Sequence, residues 1–309
     1  MHRRLPPHRL RERLILSIRA YIYLVIATLC WGANAVAGKI AIGHISPMLL
    51  TAARWFFAFV LIVVISLPQL RRDWPEIRRH WPLLTFLGVI GYTAFNAFLY
   101  NAVLYTTAIN VAIEQAGIPA LIFLGNFLLF RMRVSLAQIA GFSLALLGVA
   151  LTATHGKPLQ IIALDLNFGD ALMLVAIAAY AAYTILLRWR PAIHWKSMMA
   201  LSALGAFVSA IPLAGWEIAA GAAIWPDTEG WVIALWTSVF ASLLAQTLYI
   251  LGVAGIGPNR AGLFINLVPV FGTLLSVLVV GEPLQLFHVA ALALALGGIA
   301  IAEIGRPKA

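Results

Sequence analysis

Leu144-Ala-Leu-Leu-Gly-Val-Ala-Leu151 returns 150 residues later as Leu294-Ala-Leu-Gly-Gly-Ile-Ala-Ile301. In the same register Pro119 falls on Pro269 and Ala112 on Gly262. A second register, offset by 149, sets Trp31, Asn34 and Lys39 on Tyr180, Tyr183 and Arg188. Five apolar segments separate equivalent points, and an odd number of membrane crossings turns the second copy upside down relative to the first. Inverted repeats are an architecture of transporters that open alternately to the two sides of a membrane.

The composition agrees. Apolar residues make up 62% of the 309 residues and charged residues 10%, far from the balance of a soluble domain. Apolar runs of about 20 residues, enough to cross roughly 30 Å of hydrocarbon, recur along the whole chain. Ten spans are predicted, numbered in chain order: 20–42, 47–68, 82–104, 107–129, 134–154, 169–187, 197–217, 230–252, 259–279 and 284–304. The fold class is therefore an all-α polytopic membrane protein, ten transmembrane helices in two inverted five-helix repeats. A basic cytoplasmic tail covers 1–19, the first repeat 20–154, a connecting loop 155–168, the second repeat 169–304 and a short tail 305–309.

Lys and Arg set the orientation. With the N-terminus inside, the tail (Arg3 to Arg19), Arg71, Arg72, Arg78, Arg79, Arg131, Arg133, Arg188, Arg190, Lys196, Arg260, Arg306 and Lys308 all fall on one side. That is 18 of 21 basic residues, which places both termini in the cytoplasm. The net charge of +10 follows loop parity, so it reads as loops facing anionic headgroups and not as nucleic-acid binding. The start of span 1 imitates a signal peptide through Ala35-Val-Ala37. The apolar run is too long, however, and span 6 is its counterpart, so it is retained. Cys30 is the only cysteine, leaving no internal disulfide and no thiolate metal cluster.

Small residues at four-residue steps mark packing faces. Span 1 has Ala33, Ala37 and Ala41, and span 7 has Ser202, Ala206, Ala210 and Ala214. Span 5 has Gly141, Ala145 and Val149 in register with Ala291, Ala295 and Ile299 of span 10. Pro119 and Pro269 sit near the middle of spans 4 and 9, where each lacks an amide donor and crowds the carbonyl four residues earlier. They are read as hinges, with a static bend as the alternative.

Charges at membrane depth need a partner or a task. Glu114 lies well inside span 4, Arg54 reaches a similar depth in span 2, and Lys39 lies nearer the outside. Either a structural ion pair joins Glu114 to Arg54 or Lys39, or Glu114 is a proton-coupled or amine-binding carboxylate. Lys39, Arg54 and Arg260 are structural or coupling charges on this reading. Polar stripes occupy six spans: Trp31 and Asn34; Tyr92, Asn96 and Tyr100; Asn110, Glu114 and Gln115; Tyr180 and Tyr183; Ser238, Ser242, Gln246 and Tyr249; Asn266. Stripes on apolar helices turn away from lipid, and six together point to a central cavity for a small-molecule substrate. Catalytic motifs are missing: there is no His-Glu-x-x-His, nucleophile elbow or phosphate loop. Asp165 and Asp170 make a poor metal pair. No enzyme activity, cofactor or metal is expected, and the chain's surroundings are the lipid bilayer. Oligomeric state stays open, a monomer among the readings.

These residues resemble the drug/metabolite transporter superfamily, in particular its ten-helix members built of two EamA-type repeats. Trp31-Gly-Ala-Asn-Ala-Val-Ala-Gly-Lys39 is similar to the family's Trp-Gly-x-Asn-Phe-x-x-x-Lys, and Arg54-Trp-Phe-Phe-Ala58 to its Arg-Phe-x-x-Ala. Leu267-Val-Pro-Val-Phe271, Val280-Gly-Glu-Pro-Leu284 and Gly297-Gly-Ile299 are similar to its span 9 and span 10 patterns. Phe130-Arg-Met-Arg-Val134 departs from Leu-Gly-Glu-x-Leu in the first repeat, so no role is carried onto Glu282. Within the superfamily the chain resembles bacterial amino-acid exporters of the YddG type. The resemblance implies a cavity lined by spans 1, 3, 4, 6, 8 and 9 and the export of small metabolites, commonly amino acids, across the bacterial inner membrane by alternating access. The alternatives are a proton-coupled exporter of cationic drugs held by Glu114 and, more distantly, a non-transporting scaffold or scramblase.

Overall fold

The computed structural model describes residues 7–131, 135–157, 167–256 and 264–305. Among them the chain is helical and without strands. Span 1 is the helix Pro7–Ile40, which begins inside the stretch read as a tail. Arg and Leu there are good helix formers, and proline suits a first turn.

Spans 2 and 3 correct the predicted loop at 69–81. Pro47–Gly88 is helical, passes into a π-helical stretch at Val89–Ala94 and continues as Phe95–Tyr105. The run is not straight: Arg54 Nη1 lies 2.7 Å from Asn96 Oδ1, whereas 42 residues of straight helix would set them about 63 Å apart. The chain reverses across a helical connector punctuated by Pro68, Pro75 and Pro82, each missing a donor and crowding the carbonyl one turn back. The connector buries Ile77 and exposes Arg71, Arg72, Arg78, Arg79, Trp74 and Trp81, the amphipathic pattern of a helix lying on a membrane surface. Its Asp73 accepts from the Gln69 side chain at 3.0 Å and from the backbone N–H of His194 at 3.1 Å, tying it to the loop before span 7.

Span 4 is Ala108–Glu114, a 3-10 turn at Gln115–Gly117, then Ile118–Phe130. Pro119 thus follows an interruption of the helix. Pro269 does the same in span 9, where Ile265 and Asn266 form a turn before Leu267–Leu275. Span 5 is Leu136–Ala153, opened by a Ser135–Gln138 capping box. Span 6 is Phe168–Leu186 and span 7 Trp195–Ala219. Span 8 is Thr228–Trp236, a π-helical Thr237–Leu244 and Ala245–Ile256. Span 9 ends in a π-helical Ser276–Val280, and span 10 is Leu286–Ile304.

The pseudo-two-fold is visible in the packing. Span 1 packs on spans 8 and 9 as span 6 packs on spans 3 and 4, and span 2 packs on span 7. Spans 5 and 10 cross through their small residues: a Cβ at Gly148 would strike Ala291 and Ala295, and one at Gly298 would strike Gly141 and Leu144. Ala145, Ala291 and Ala295 are fully buried there. On span 7 Ser202, Ala206, Ala210 and Ala214 are buried too; Ser202 and Ala206 face the start of span 3, where Gly88 meets Ser202 and Thr93 donates to the Ala206 carbonyl.

Candidate functional site

Where the two repeats meet, span 2 delivers Arg54 into the interior, 4% exposed. Its Nε donates to Ser242 Oγ at 2.8 Å, and its Nη1 donates to Asn34 Oδ1 at 2.6 Å, Asn96 Oδ1 at 2.7 Å and the Tyr100 hydroxyl at 2.5 Å. Tyr100 in turn donates to Asn34 Oδ1 at 2.9 Å. Ser238 Oγ reaches the Arg54 carbonyl at 2.9 Å. All these acceptors are neutral. Among the described residues no carboxylate pairs with Arg54, and no acceptor meets its Nη2. A buried guanidinium held by amides and hydroxyls thus keeps one terminal nitrogen, Nη2, with both its N–H donors available to a carboxylate.

Local backbone serves this arrangement. Tyr92 lies in the π-helical stretch of span 3 and Ser242 in the equivalent stretch of span 8. A π-turn inserts an extra residue and re-aims side chains, and such bulges recur at functional sites. Aromatic rings wall the network. Trp55 stacks on Tyr92 with centroids 4.5 Å apart, Tyr92 leans on Tyr183 at 5.6 Å, and Tyr183 on Tyr180 at 5.4 Å. Across the bundle Trp31 meets Tyr249 at 5.2 Å. The Arg54 guanidinium sits 5.2 Å from the Trp55 ring. Trp31, Tyr180, Gln246 and Tyr249 are half-buried, whereas Asn34, Asn96, Tyr100 and Ser242 are buried.

Other candidates fall elsewhere. The ion pair does not form: Lys39 Nζ donates to the carbonyls of Val103 at 2.8 Å and Thr106 at 2.9 Å, a cation placed at the end of span 3 where the helix carries partial negative charge. Glu114 is fully buried and neither oxygen has a partner. Shared depth places residues in one slab of membrane, not on facing sides of helices, so depth alone does not make an ion pair. Asn110 joins Thr106, His155, Asp170 and His288 on the outer side, apart from Arg54. Gln115 bonds the Val111 carbonyl one turn back at 3.2 Å. Asn266 is half-buried at the break before Pro269, and Arg260 lies outside the described residues. The sequence does not mark Trp55, His155 or His288 as site residues, although Trp55 follows Arg54 directly, and it offers Asp170 only as a poor metal partner of Asp165. Asp170 sits at a helix start, a position that reads as exposed.

Five apolar helical stretches among the described residues have the length to cross a membrane once, and a sixth is the folded-back Pro47–Tyr105 run. With a polar network at the junction of two inverted repeats, they define a multi-pass membrane transporter. The EamA-like transporter family matches residues 18–154 and 167–303. The chain belongs to that family, within the drug/metabolite transporter superfamily. It is 25% identical over 291 residues to YetK of Bacillus subtilis, covering 94% of this chain and 88% of that protein. To YyaM of the same organism it is 26% identical over 299 residues, covering 93% and 94%. Both are described as uncharacterized transporters. A solved crystal structure superposes with a TM-score of 0.63 at 21% identity over 94% of this chain and 99% of that one, a likeness of fold alone.

Proposed function

We propose that this protein is a secondary transporter that exports small zwitterionic metabolites, aromatic and other apolar amino acids foremost, across the bacterial inner membrane by alternating access. The observation that carries this reading is Arg54: a buried cation with neutral partners only and a terminal nitrogen, Nη2, that meets no acceptor. A charge at this depth costs several kcal/mol, and a substrate carboxylate offsets it when bound. The Trp55, Tyr92, Tyr180 and Tyr183 rings supply an apolar wall for the side chain, and their faces also suit an ammonium group. Pro119 and Pro269, each just past a break in its helix, are the hinges of the proposal.

The rival reading, export of cationic drugs, rests on Glu114, whose oxygens meet no partner. Counterflow separates the two. Proteoliposomes loaded with unlabelled phenylalanine should take up labelled phenylalanine, saturably and with competition by other apolar amino acids. Uptake of a lipophilic cation in place of phenylalanine, lost in Glu114→Gln, would establish the rival.

A further inference from the structure

A second polar cluster lies on the outer side of the bundle, outside the bonding shell of Arg54. Thr106 ends span 3, and Asn110 and Glu114 follow at four-residue steps on span 4, on one face. Asp170 at the start of span 6 meets them: its Oδ1 accepts from Thr106 Oγ1 at 2.5 Å and from Asn110 Nδ2 at 3.4 Å. The turn after span 5 supplies His155, whose Nδ1 is 3.6 Å from Asp170 Oδ2. Its Nε2 faces Asn110 Nδ2 at 3.3 Å, and since an amide nitrogen only donates, Nε2 accepts and Nδ1 carries the proton that points at Asp170. His288 of span 10 closes the far side. Its Nδ1 accepts from the Gln285 backbone at 3.0 Å, so its Nε2 donates to Asn110 Oδ1 at 3.1 Å.

Three buried oxygens in this cluster have no hydrogen-bond partner: both of Glu114 and Oδ2 of Asp170. The two carboxyls are wholly buried, and Glu114 lies one helical turn beyond Asn110, which donates to Asp170. Among the described residues no lysine or arginine pairs with either carboxyl. Lys39 is engaged by the Val103 and Thr106 carbonyls, and Lys157 is exposed in the loop beyond His155. Glu282 adds negative charge and is itself used in accepting the Ala108 and Ile109 backbone N–H groups at 2.9 and 3.0 Å. Two like charges in a dry site repel, and a single proton removes both the repulsion and one desolvation cost. His155, with 42% of its side chain exposed, connects the pair to outer water.

We infer that Asp170 and Glu114 form a proton-binding site, loaded from the outer side through His155, whose occupancy is exchanged for substrate during export. A proton from hydronium bonds to His155 Nε2 as Asn110 lets go, the Nδ1–H bond breaks, and an O–H bond forms at Asp170 Oδ2. The imidazole ends neutral in its other tautomer. The coupling half of this inference rests on the transport reading of the preceding subsection; proton binding by itself does not.

Two measurements on the full chain separate the halves. Infrared difference spectra of the protein in nanodiscs between acid and alkaline pH should show a protonated-carboxyl band that Glu114→Gln or Asp170→Asn removes. Proteoliposomes with an acid interior and clamped membrane potential should accumulate labelled phenylalanine about tenfold per pH unit, the ratio for one-for-one exchange. Both variants should lose accumulation but keep counterflow, and His155→Gln, at an exposed position, should slow gradient-driven uptake without unfolding the protein. Counterflow that proceeds with no response to the pH gradient, or accumulation that follows a sodium gradient instead, overturns the coupling while leaving transport intact. No carboxyl band in the folded wild type overturns the site itself. A band without any phenylalanine exchange supports the site and refutes the amino-acid reading.

Discussion

Replacing Arg54 by alanine should destroy recognition of the substrate carboxylate and little else about the substrate. The guanidinium makes four hydrogen bonds to protein, all to neutral oxygens, so in the bound state the ligand carboxylate would be its only charge partner. Removing one member of a buried ion pair costs about 3–5 kcal/mol, which is roughly a 150- to 4,000-fold weakening. The half-saturation constant for phenylalanine in counterflow should rise by that order. Arg54→Lys should fall between, since one ammonium cannot serve Ser242 on one side and Asn34, Asn96 and Tyr100 on the other. Phenethylamine keeps the ring and the amine but lacks the carboxylate, so its weak competition should barely change in Arg54→Ala. Melting curves of the variant guard against a trivial loss, because Asn34, Asn96, Tyr100 and Ser242 each lose a donor. Equal losses for phenylalanine and phenethylamine in a folded variant, or unchanged half-saturation for phenylalanine, would refute the assignment of Arg54 as the carboxylate receptor.

Gly148→Leu should lower the melting temperature sharply, by overpacking worth about 1–3 kcal/mol or more, since a side chain there strikes Ala291 and Ala295; Gly297→Ala, with nothing within 4 Å of its added Cβ, should leave it unchanged or raise it. Pro119→Ala combined with Pro269→Ala should slow turnover in counterflow several-fold while half-saturation moves little; equal turnover would make both prolines static bends. His44, in the outer loop after span 1, lies 2.8 Å from Asp227 and 3.1 Å from Glu229, and its hydrogen bond to Asp227 pushes its imidazole up from the ordinary 6.5. Its contribution to stability is therefore full below pH 6.5 and is lost as pH rises through the raised value. Thermal melts across that window should show the loss in the wild type and not in His44→Gln.

The spans were legible because hydrocarbon thickness and backbone hydrogen bonding leave few alternatives, and the repeat gave their inversion. The connector between spans 2 and 3 was not, because Pro68, Pro75 and Pro82 among arginines read as loop while the backbone holds helix between the breakers. Tyr92, Asn96 and Tyr100 were placed on one face by periodicity, yet only the fold brings Arg54 and Asn34 to them. Glu114 and Arg54 share a depth, but rotation about each helix axis decides which side chains meet, and neither pattern encodes that angle between distant spans. The Asp170 cluster was hidden for a related reason. Its members come from spans 3, 4, 6 and 10 and the turn after span 5, and Asp170 is fully buried despite its place at a helix start.

The crossing of spans 5 and 10 has a consequence for how the chain is made. Gly141, Ala145 and Gly148 meet residues of span 10, Ala291, Ala295, Gly298 and Ala302, which the ribosome supplies only after the rest of the second repeat. Until then the first repeat sits in the bilayer with a small-residue seam covered only by lipid, and such long-range closure is slow to form. Completion of the first half thus waits on the synthesis of span 10, Leu286–Ile304. A frameshift there should be as damaging to a cell as one in the middle of the gene, and two halves made from separate messages should find one another through this seam and assemble into a working carrier.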